Sequence, residues 1–502
     1  MGRYLAGVDV GTSSVKCIVI DDSGKVVSSC SEKYPLYTPQ AGFSEQEPSE
    51  WWEGTKKAIR RAVAESGANP EEIIGLGFSG QMHGLVALDK HDTVLRRAIL
   101  WNDQRTGAEC AEIIAAAGGL NGLLGYTNNT MLAGYTGGKL LWVRKHEPEV
   151  FAKIASFLMP KDYIRFMITG EKATDVSDAS GTGFFDVEHR RWSDGLISLL
   201  GFDKEIFPSV LESDEVAGYV TAKAAAETGL PEGMPVYAGG GDAVIQTTGS
   251  GIVREGTIGL IIGTSGVLSM SLDSYAYNTG GSLQFFCNND RRKWQALGCQ
   301  LSSGGSVEWF KDTVYEGEGA FKRLDAEAAQ SPAGANKLLF LPYLTGERCP
   351  HADPYARGVF FGLAISHGRG DLARAVMEGV TLGLREIYEL VLKGNPKIKP
   401  VEVISSGGGS RSAVWRQIQA DVFGLPVKTL TGAAEGGAYG GAVVAGVGAG
   451  VWKDIEEAAQ CLKVETVTEP IAENARVMNA LLPVYQGLYQ DLKERFKVLM
   501  EI

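Results

Sequence analysis

The sequence predicts an α/β protein built from two duplicated domains. Residues 7–15 (GVDVGTSSV) recur 252 positions later as residues 259–267 (GLIIGTSGV), and each copy reads as a strand, a Gly-Thr-Ser turn and a second strand. Strand and helix patterns alternate after each copy, which is typical of a sheet covered by helices. At 502 residues the chain is long enough for two domains of about 250 residues, each with its own core.

The strand and helix patterns start twice along the chain. The first half opens with three strands and continues with a helix and a buried strand, and a second start at the strand 234–238 is followed by the repeated hairpin. The predicted strands are 4–10, 15–20, 25–33, 73–78, 234–238, 258–270 (a hairpin) and 401–405, and the predicted helices are 48–65, one that begins near Ala413, and 474–502. We predict that the domains comprise residues 1–253 and 254–502, because the second hairpin begins shortly after this point.

Composition excludes several classes of function. A net charge of −12 and a pI near 5.2 argue against a nucleic-acid-binding protein, because such a chain lacks a dominant basic field. The seven cysteines are never spaced as CxxC, which favours free thiols over disulfides or a zinc site. We find neither a secretory signal pattern nor about 20 consecutive apolar residues, so we expect a cytoplasmic protein with no membrane contact.

The two copies of the hairpin differ at one carboxylate. Asp9 in the first copy aligns with Ile261 in the second, so the turn forms without a carboxylate. A hard cation such as Mg²⁺ prefers oxygen ligands and usually keeps several waters, so one carboxylate beside phosphates can suffice to hold it. Asp9 is therefore a candidate metal or phosphate residue, although an isolated Asp at a turn can also simply bond nearby amides.

A second candidate carboxylate, Asp242, follows a predicted strand and three glycines. The glycines allow the backbone to approach a ligand, and the carboxyl ends of strands are where α/β sheets bind ligands. Asp242 alone would equally fit a helix cap, and the Met82-His83 pair alone would equally fit a core. A dinucleotide site is excluded at the first hairpin, because its Gly-Thr-Ser turn joins strand to strand and lacks GxGxxG before a helix.

These duplicated hairpins resemble those of the superfamily of sugar kinases, actin and Hsp70, whose two domains are ribonuclease H-like and enclose an interdomain active-site cleft. Within it, nearly the whole chain is similar to the FGGY carbohydrate kinases. Two long signatures of that family are present, namely residues 134–146 (GYTGGKLLWVRKH) and 358–378 (GVFFGLAISHGRGDLARAVME). Five shorter motifs resemble its xylulokinase branch: 80–84 (GQMHG), 99–103 (ILWND), 160–163 (PKDY), 239–242 (GGGD) and 341–348 (LPYLTGER).

The resemblance implies roles for individual residues. Asp242 would be the general base and Asp9 would lie at the metal and the phosphates. The implied sugar contacts are Gln81, Met82, His83, Trp101 and Asp242. The implied ATP contacts are Gly11, Thr12, Ser13, Gly263, Thr264, Ser265, Gly407, Gly408 and Gly409.

The implied activity is ATP- and Mg²⁺-dependent phosphorylation of the ketopentose D-xylulose to D-xylulose 5-phosphate by direct in-line transfer. The chain departs from the branch at Ala243, where an amide residue that helps to hold the sugar is usual. A kinase for ribulose, another ketose or a polyol therefore remains an alternative. A nucleotide-dependent sugar-binding protein or ATPase that transfers no phosphate is a further alternative, because a fold alone does not determine function. A homodimer is the oligomer that the resemblance suggests.

Overall fold

Two seven-stranded sheets form the framework of this computed structural model, which describes residues 2–431 and 435–502. The strands of the first half are β1 (Tyr4–Val10), β2 (Ser14–Asp21), β3 (Val26–Lys33), β4 (Glu45–Gln46), β5 (Ile73–Gly80), β6 (Val86–Leu88), β7 (Ala98–Ile99), β8 (Ser156–Leu158), β9 (Ala173–Asp175), β10 (Phe185–Asp186), β11 (Arg191–Trp192), β12 (Ser209–Leu211), β13 (Val216–Tyr219), β14 (Pro235–Tyr237) and β15 (Gly240–Gly241). Its helices are α1 (Pro48–Ser66), α2 (Gly107–Ala116), α3 (Leu120–Thr127), α4 (Thr136–His146), α5 (Pro148–Phe151), α6 (Pro160–Thr169), α7 (Val176–Ser180), α8 (Asp194–Leu199), α9 (Ala222–Thr228) and α10 (Asp242–Gly249).

The second half is organised around the second sheet. Its strands are β16 (Thr257–Ile262), β17 (Gly266–Leu272), β18 (Gln284–Cys287), β19 (Trp294–Gln300), β20 (Leu339–Leu341), β21 (Val359–Phe361), β22 (Glu402–Gly407), β23 (Val427–Leu430) and β24 (Val464–Thr468). Its helices are α11 (Gly304–Val314), α12 (Ala320–Gln330), α13 (Arg369–Gly394), α14 (Ala413–Phe423), α15 (Gly436–Gly448), α16 (Ile455–Ala458) and α17 (Ala472–Glu501).

The same five-strand pattern forms the centre of both sheets. In the first sheet the order is β3-β2-β1-β5-β14, and in the second it is β19-β17-β16-β22-β23. In each pattern the first three strands pair antiparallel with their neighbours. The fourth strand pairs in parallel with the first strand of the hairpin, and the fifth strand pairs in parallel with the fourth. This repeated topology confirms the prediction of a duplicated two-domain α/β fold.

The hairpins occupy equivalent positions, but their registers differ by one residue. Val10 pairs with Val15 in the first hairpin, whereas Ile262 pairs with Gly266 in the second. The turn of the first hairpin is closed by Gly11 N–H donating to the Ser14 carbonyl at 3.1 Å. The second hairpin is tighter, because Gly263 N–H donates to the Ser265 carbonyl at 2.9 Å.

Helices α10 and α15 cross where the two halves meet. A Cβ atom at Gly440 would lie 2.1 Å from the Ile245 carbonyl oxygen, and one at Gly249 would lie 2.1 Å from the Gly436 carbonyl oxygen, so only glycine permits this approach. Helix α15 also packs on the first sheet, where Cβ atoms at Gly7 and Gly77 would lie within about 2 Å of its backbone. A helix from the second half therefore belongs to the core of the first half, and the division at residues 253 and 254 stays a prediction.

Within the described residues, no helix is long and apolar enough to cross a membrane. All seven cysteines carry free thiols, and five of them are buried. The helix predicted at 48–65 is α1, the helix predicted from Ala413 is α14, and the C-terminal helix predicted at 474–502 is α17.

Candidate active site

Asp9 lies on β1, opposite Ser79 of β5. The parallel register pairs the two residues, and Ser79 Oγ donates a 2.6 Å hydrogen bond to Asp9 Oδ1. None of the described residues donates a hydrogen bond to Oδ2. Burial raises the pKa of Asp9, and the bond from Ser79 and the charge of Lys16 oppose this effect only in part.

Asp242 is the first residue of α10 and follows the close approach of Gly239, Gly240 and Gly241 to the first sheet. Its Oδ1 accepts the N–H of Ala243 at 2.7 Å. The pKa of Asp242 is raised to about 7, because burial and the negative charge of Asp9 outweigh the opposing backbone N–H bonds from Ala243 and Met82. The two predicted carboxylates therefore lie close enough for each to disfavour the other's charge.

Gln81 connects the end of β5 to the first hairpin. Its backbone N–H donates to the Val10 carbonyl at 2.8 Å, and its Nε2 donates to the Gly11 carbonyl at 3.3 Å and to Gln46 Oε1 at 3.0 Å. Its Oε1 is buried and has no partner among the described residues. A buried amide oxygen without a donor is rare, and a ligand hydroxyl at this position would satisfy it.

His83 has a positive φ of 67°, which a β-carbon disfavours and which therefore requires support. Lys139 Nζ and Thr136 Oγ1 of α4 donate to its carbonyl at 2.6 and 3.1 Å. The imidazole Nδ1 lies 2.6 Å from the Gly181 carbonyl oxygen, and the ring stacks on Tyr135 with centroids 4.6 Å apart. Burial, together with the charge of Lys139, lowers the pKa of His83 to about 3, so the imidazole is neutral.

Met82 forms the apolar side of the same region. It packs in a small cluster with Val244 of α10 and with Phe286 and Leu297 of the second sheet, and Ala243 packs against this cluster. A Cβ atom at Gly241 would lie 2.6 Å from Met82 Sδ, so the glycine before Asp242 is needed for this contact. The first turn of α10 therefore lies between the two sheets, which is where the cleft was predicted.

Trp101, a predicted sugar contact, lies beside the first hairpin. Its side chain is 41% exposed, and its indole N–H donates to Thr12 Oγ1 at 2.9 Å. A predicted sugar contact, Trp101, is therefore hydrogen-bonded to a predicted phosphate contact, Thr12. Gly11 and Thr12 are half-buried, whereas Ser13 is exposed and its carbonyl accepts the N–H of Tyr34 at 3.4 Å.

The second hairpin borders an open cavity of about 490 Å³. Gly263 and Thr264 line it beside the first turn of α11, whose Gly304 and Gly305 N–H groups donate to the carbonyls of Gly263 and Thr264 at 2.9 and 3.0 Å. Val307, Phe321, Met377 and Trp415 supply an apolar wall. A cavity with one apolar wall and a rim of backbone and hydroxyl groups matches the chemistry of a nucleotide.

The predicted glycines at the end of β22 lie beside the second hairpin at the edge of this cavity, because β22 pairs with β16. Gly408 and Gly409 line it, together with Ser412, whose hydroxyl caps α14. Gly407 has φ 78°, and a Cβ there would lie 2.6 Å from the Ile262 carbonyl oxygen, so its role is to let the loop turn against β16. Ser265 and Gly407 are adjacent to the cavity lining but are not part of it.

Comparison with known proteins agrees with this geometry. The model of the FGGY family of carbohydrate kinases, N-terminal domain, matches residues 4–249, and that of the C-terminal domain matches residues 259–449. The xylulose kinase of Bacillus subtilis is 39% identical over 493 residues, which is 98% of each chain. The chain belongs to the FGGY family of carbohydrate kinases.

Two solved structures are similar over the full length. A xylulose kinase from Rhodospirillum rubrum has a TM-score of 0.92 and 31% identity and covers 99% of this chain and 100% of its own. A gluconate kinase from Lactobacillus acidophilus has a TM-score of 0.92 and 27% identity over the same shares. This FGGY kinase is thus an enzyme that phosphorylates a sugar with ATP, which excludes the alternative of a protein that transfers no phosphate.

The two FGGY signatures have structural roles in this kinase. Residues 134–146 include α4, from which Lys139 and Thr136 hold the backbone of His83. Residues 358–378 include β21 and the beginning of α13, whose Met377 lines the cavity beside the second hairpin. One signature therefore lies beside His83 and the other beside the cavity. Neither signature contains Asp9 or Asp242.

Sequence analysis missed the first turn of α15. A Cβ at Gly437 would lie 3.0 Å from the Asp9 carboxyl group and 2.5 Å from Ser79 Oγ, so the helix begins directly beside Asp9. Glu435, just before it, forms a 3.0 Å ion pair with Lys16 of β2. The paired glycines at 436–437 and 440–441 are a signal of close helix packing, but they do not indicate which sheet the helix contacts.

Proposed function

We propose that this FGGY kinase transfers the γ-phosphoryl group of ATP to D-xylulose by direct in-line attack and releases D-xylulose 5-phosphate. The observation that carries the proposal is Asp242, a desolvated carboxylate at the first turn of α10 with a pKa raised to about 7. The Met82 N–H bonds to it, Met82 packs on Val244 of the same helix turn, and His83 is the next residue of the chain. A base with a pKa near neutrality suits proton transfer from a sugar hydroxyl in this pH range.

In this proposal the sugar lies on the first-half side of the cleft. The unpaired Gln81 Oε1 accepts one hydroxyl, the neutral His83 ring bonds another, and Met82 contacts the carbon face. Ionised Asp242 accepts the proton of the attacking hydroxyl as its oxygen approaches phosphorus. Little covalent chemistry is required of the protein, so the site acts mainly by alignment and charge stabilisation.

ATP would lie with its base in the cavity bordered by Gly408 and Gly409 and its phosphates between the two Gly-Thr-Ser turns. The N–H groups and hydroxyls of these turns are suited to phosphate oxygens. The Asp9 carboxylate fits a Mg²⁺ ion, because its Oδ2 accepts no bond from a described residue and a hard cation can complete its shell with phosphate oxygens and water. When bound, the ion neutralises charge on the transferring group.

Binding of both substrates would bring the halves together around the crossing of α10 and α15. The tight glycine contacts at this crossing keep the two helices in register while the outer parts of the sheets approach each other. Closure excludes water, which otherwise competes for the γ-phosphate. We therefore expect ATP hydrolysis without sugar to be much slower than sugar phosphorylation. A homodimer remains a prediction, which light scattering of the purified protein checks.

The choice of D-xylulose follows from the full-length similarity to xylulose kinases, but one alternative has specific support. A solved structure that is similar over the full length is that of a gluconate kinase, which supports a substrate other than a ketopentose on this backbone, and Ala243 stands beside the base where the xylulokinase branch usually has an amide residue. A kinase for another ketose such as ribulose, for a polyol, or for a sugar acid such as gluconate is therefore the second candidate.

A coupled assay of ADP release decides between them. The panel contains D-xylulose, L-xylulose, D-ribulose, L-ribulose, glycerol, gluconate and no sugar, each with Mg·ATP. We expect the highest kcat/KM with D-xylulose and little turnover without sugar. A higher kcat/KM with another member of the panel would identify that compound as the substrate. ADP release without sugar that is as fast as release with sugar would contradict the proposed closure.

A further inference from the structure

A buried ion network lies behind the proposed base. It consists of Lys161, Asp162, Arg165, Asp175 and Asp178, all with no exposed surface. Lys161 Nζ lies 2.5 Å from Asp162 Oδ1, 2.7 Å from Asp175 Oδ1 and 3.2 Å from Asp178 Oδ2. Arg165 lies 3.0 Å from Asp162. Removing five ionisable groups from water is costly, and such networks are weak evidence for stability, so another role is worth seeking.

The three carboxylates of the network could in principle hold a metal ion. The ammonium group of Lys161 already lies within 3.2 Å of all three carboxylates. Burial lowers the pKa of Lys161, but the charges of the three carboxylates outweigh this effect and raise it. Lys161 therefore fills the position that a metal ion would take. The network also contacts the backbone of the loop that precedes Asp242.

The network holds that loop at two points. Arg165 donates to the Ala238 carbonyl at 2.7 Å, just before the three glycines. At the other end Ser177 Oγ accepts the N–H of Gly241 at 3.0 Å and donates a short hydrogen bond to Asp175 Oδ2. Residues 239–241 have no side chains with which to fix their own shape, so these two bonds restrain the segment immediately before Asp242.

The same network also supports the neighbouring strand end. A Cβ at Gly80 would lie 2.8 Å from Lys161 Cβ, so Lys161 packs directly under the end of β5. Two residues further along, the Met82 N–H bonds to Asp242. The network therefore contacts both backbone segments that position the carboxylate.

We propose that Ser177 is a positioning residue, which transmits the fixed geometry of the buried ion network to Asp242 through the N–H of Gly241. The hydroxyl bridges the fully buried carboxyl group of Asp175 and the peptide that precedes the base. The inference rests on the proposed role of Asp242 as the base. Without the hydroxyl, the Gly241 N–H loses this partner and the segment before the carboxylate loses one of its restraints, while the pairing of Gly240 and Gly241 with β5 remains.

Ser177→Ala tests this inference, and Ser180→Ala is the matched control. Ser180 lies on the same helix α7, is 1% exposed, and its Oγ accepts the backbone N–H of Cys287 at 3.1 Å, away from Asp242. We expect Ser177→Ala to lower kcat about 10- to 100-fold with KM values for sugar and ATP changed less than about 3-fold, because small misplacements of a reacting group affect the rate strongly. We expect Ser180→Ala to keep kcat within about 3-fold.

A double-mutant cycle with Asp242→Ala separates positioning from general support of the fold. If Ser177 acts through Asp242, adding Ser177→Ala to Asp242→Ala should lower the residual kcat no further. An equal loss of kcat in both backgrounds, or equal losses for Ser177→Ala and Ser180→Ala, would overturn the inference. If Ser177→Ala does not fold, as judged by thermal unfolding, Ser177→Cys replaces it in the same cycle. Retention of normal kcat by Asp242→Ala would instead refute the proposed base.

Discussion

In the first sheet Asp9 lies opposite Ser79 of β5, whereas at the equivalent point of the second sheet Ile261 lies opposite Ser406 of β22. The helix that follows the fifth strand of each five-strand pattern also begins with an acid only in the first half. Helix α10 begins with Asp242, and α15 begins with Gly436. Both proposed catalytic carboxylates therefore belong to the first copy of the duplicated unit.

The second copy retains the backbone features without the acids. Its Gly263 and Thr264 line the open cavity, and its helix α15 contributes a close backbone approach to Asp9. A binding surface for ATP requires N–H groups and apolar walls, whereas proton transfer and metal binding require carboxylates. In the proposed mechanism, one backbone arrangement therefore serves both purposes through a difference of one or two side chains.

The strongest test of this comparison removes the acid of α10. Asp242→Ala should lower kcat with D-xylulose by roughly 10²- to 10⁴-fold, because the attacking hydroxyl loses its base. ADP release at saturating substrates measures the effect, and calorimetry with ATP should show that nucleotide binding persists. A kcat near that of the unsubstituted enzyme would show that the first copy supplies binding alone.

The next test concerns the acid of the hairpin. Asp9→Asn should lower kcat about 10²-fold and weaken the dependence of the rate on Mg²⁺, because a neutral amide is a poorer ligand for a hard cation. Ile261→Asn is the matched control at the equivalent position, and we expect it to keep kcat within about 5-fold. Similar losses in the two variants would mean that the hairpins contribute equally and that the asymmetry has no chemical meaning.

Helix α15 offers a smaller but more geometric test. Gly437→Ala should lower kcat about 10-fold, because its methyl group would lie 3.0 Å from the Asp9 carboxyl group and must displace it. Gly487→Ala in α17 is the control, since a Cβ there would have no neighbour within 4 Å. Both variants are assayed over a range of Mg²⁺ concentrations. A rate loss for Gly487→Ala and none for Gly437→Ala would contradict the placement of α15 beside Asp9.

These cases show what the sequence can predict and what it cannot. The hairpins followed from strand periodicity and the repeated Gly-Thr-Ser turn, because both signals are local. Asp242 followed from its position at a strand end. The approach of Gly437 to Asp9 joins residues more than 400 positions apart, and it depends on how a helix of one half packs on the sheet of the other. The Trp101 bond to Thr12 and the bridge formed by Ser177 likewise arise only from tertiary packing.

The pH dependence of the reaction should reflect the proximity of the two acids. The pKa of Asp242 is about 7 in the free enzyme, so the base is ionised above this value and protonated below it. We expect kcat/KM for the sugar to fall about tenfold per pH unit below pH 7, measured at a fixed Mg·ATP concentration. In Asp9→Asn this fall in kcat/KM should begin at a lower pH, because the charge of Asp9 contributes to the raised pKa of Asp242. If the fall begins at the same pH in Asp9→Asn, the two carboxylates are not coupled.

The smallest expected effect is on stability. The pKa of Asp242 is raised from 3.8 to about 7 on folding, so the folded state binds this proton more tightly than the unfolded state does. Its favourable contribution is therefore complete below pH 3.8 and is lost as the pH rises towards 7, which leaves an ionised, desolvated carboxylate that destabilises the fold above this pH. Asp242→Asn should accordingly raise Tm more at pH 8 than at pH 5. Calorimetric scans at the two pH values measure the difference, and a Tm gain that is equal at both would show that burial does not raise this pKa.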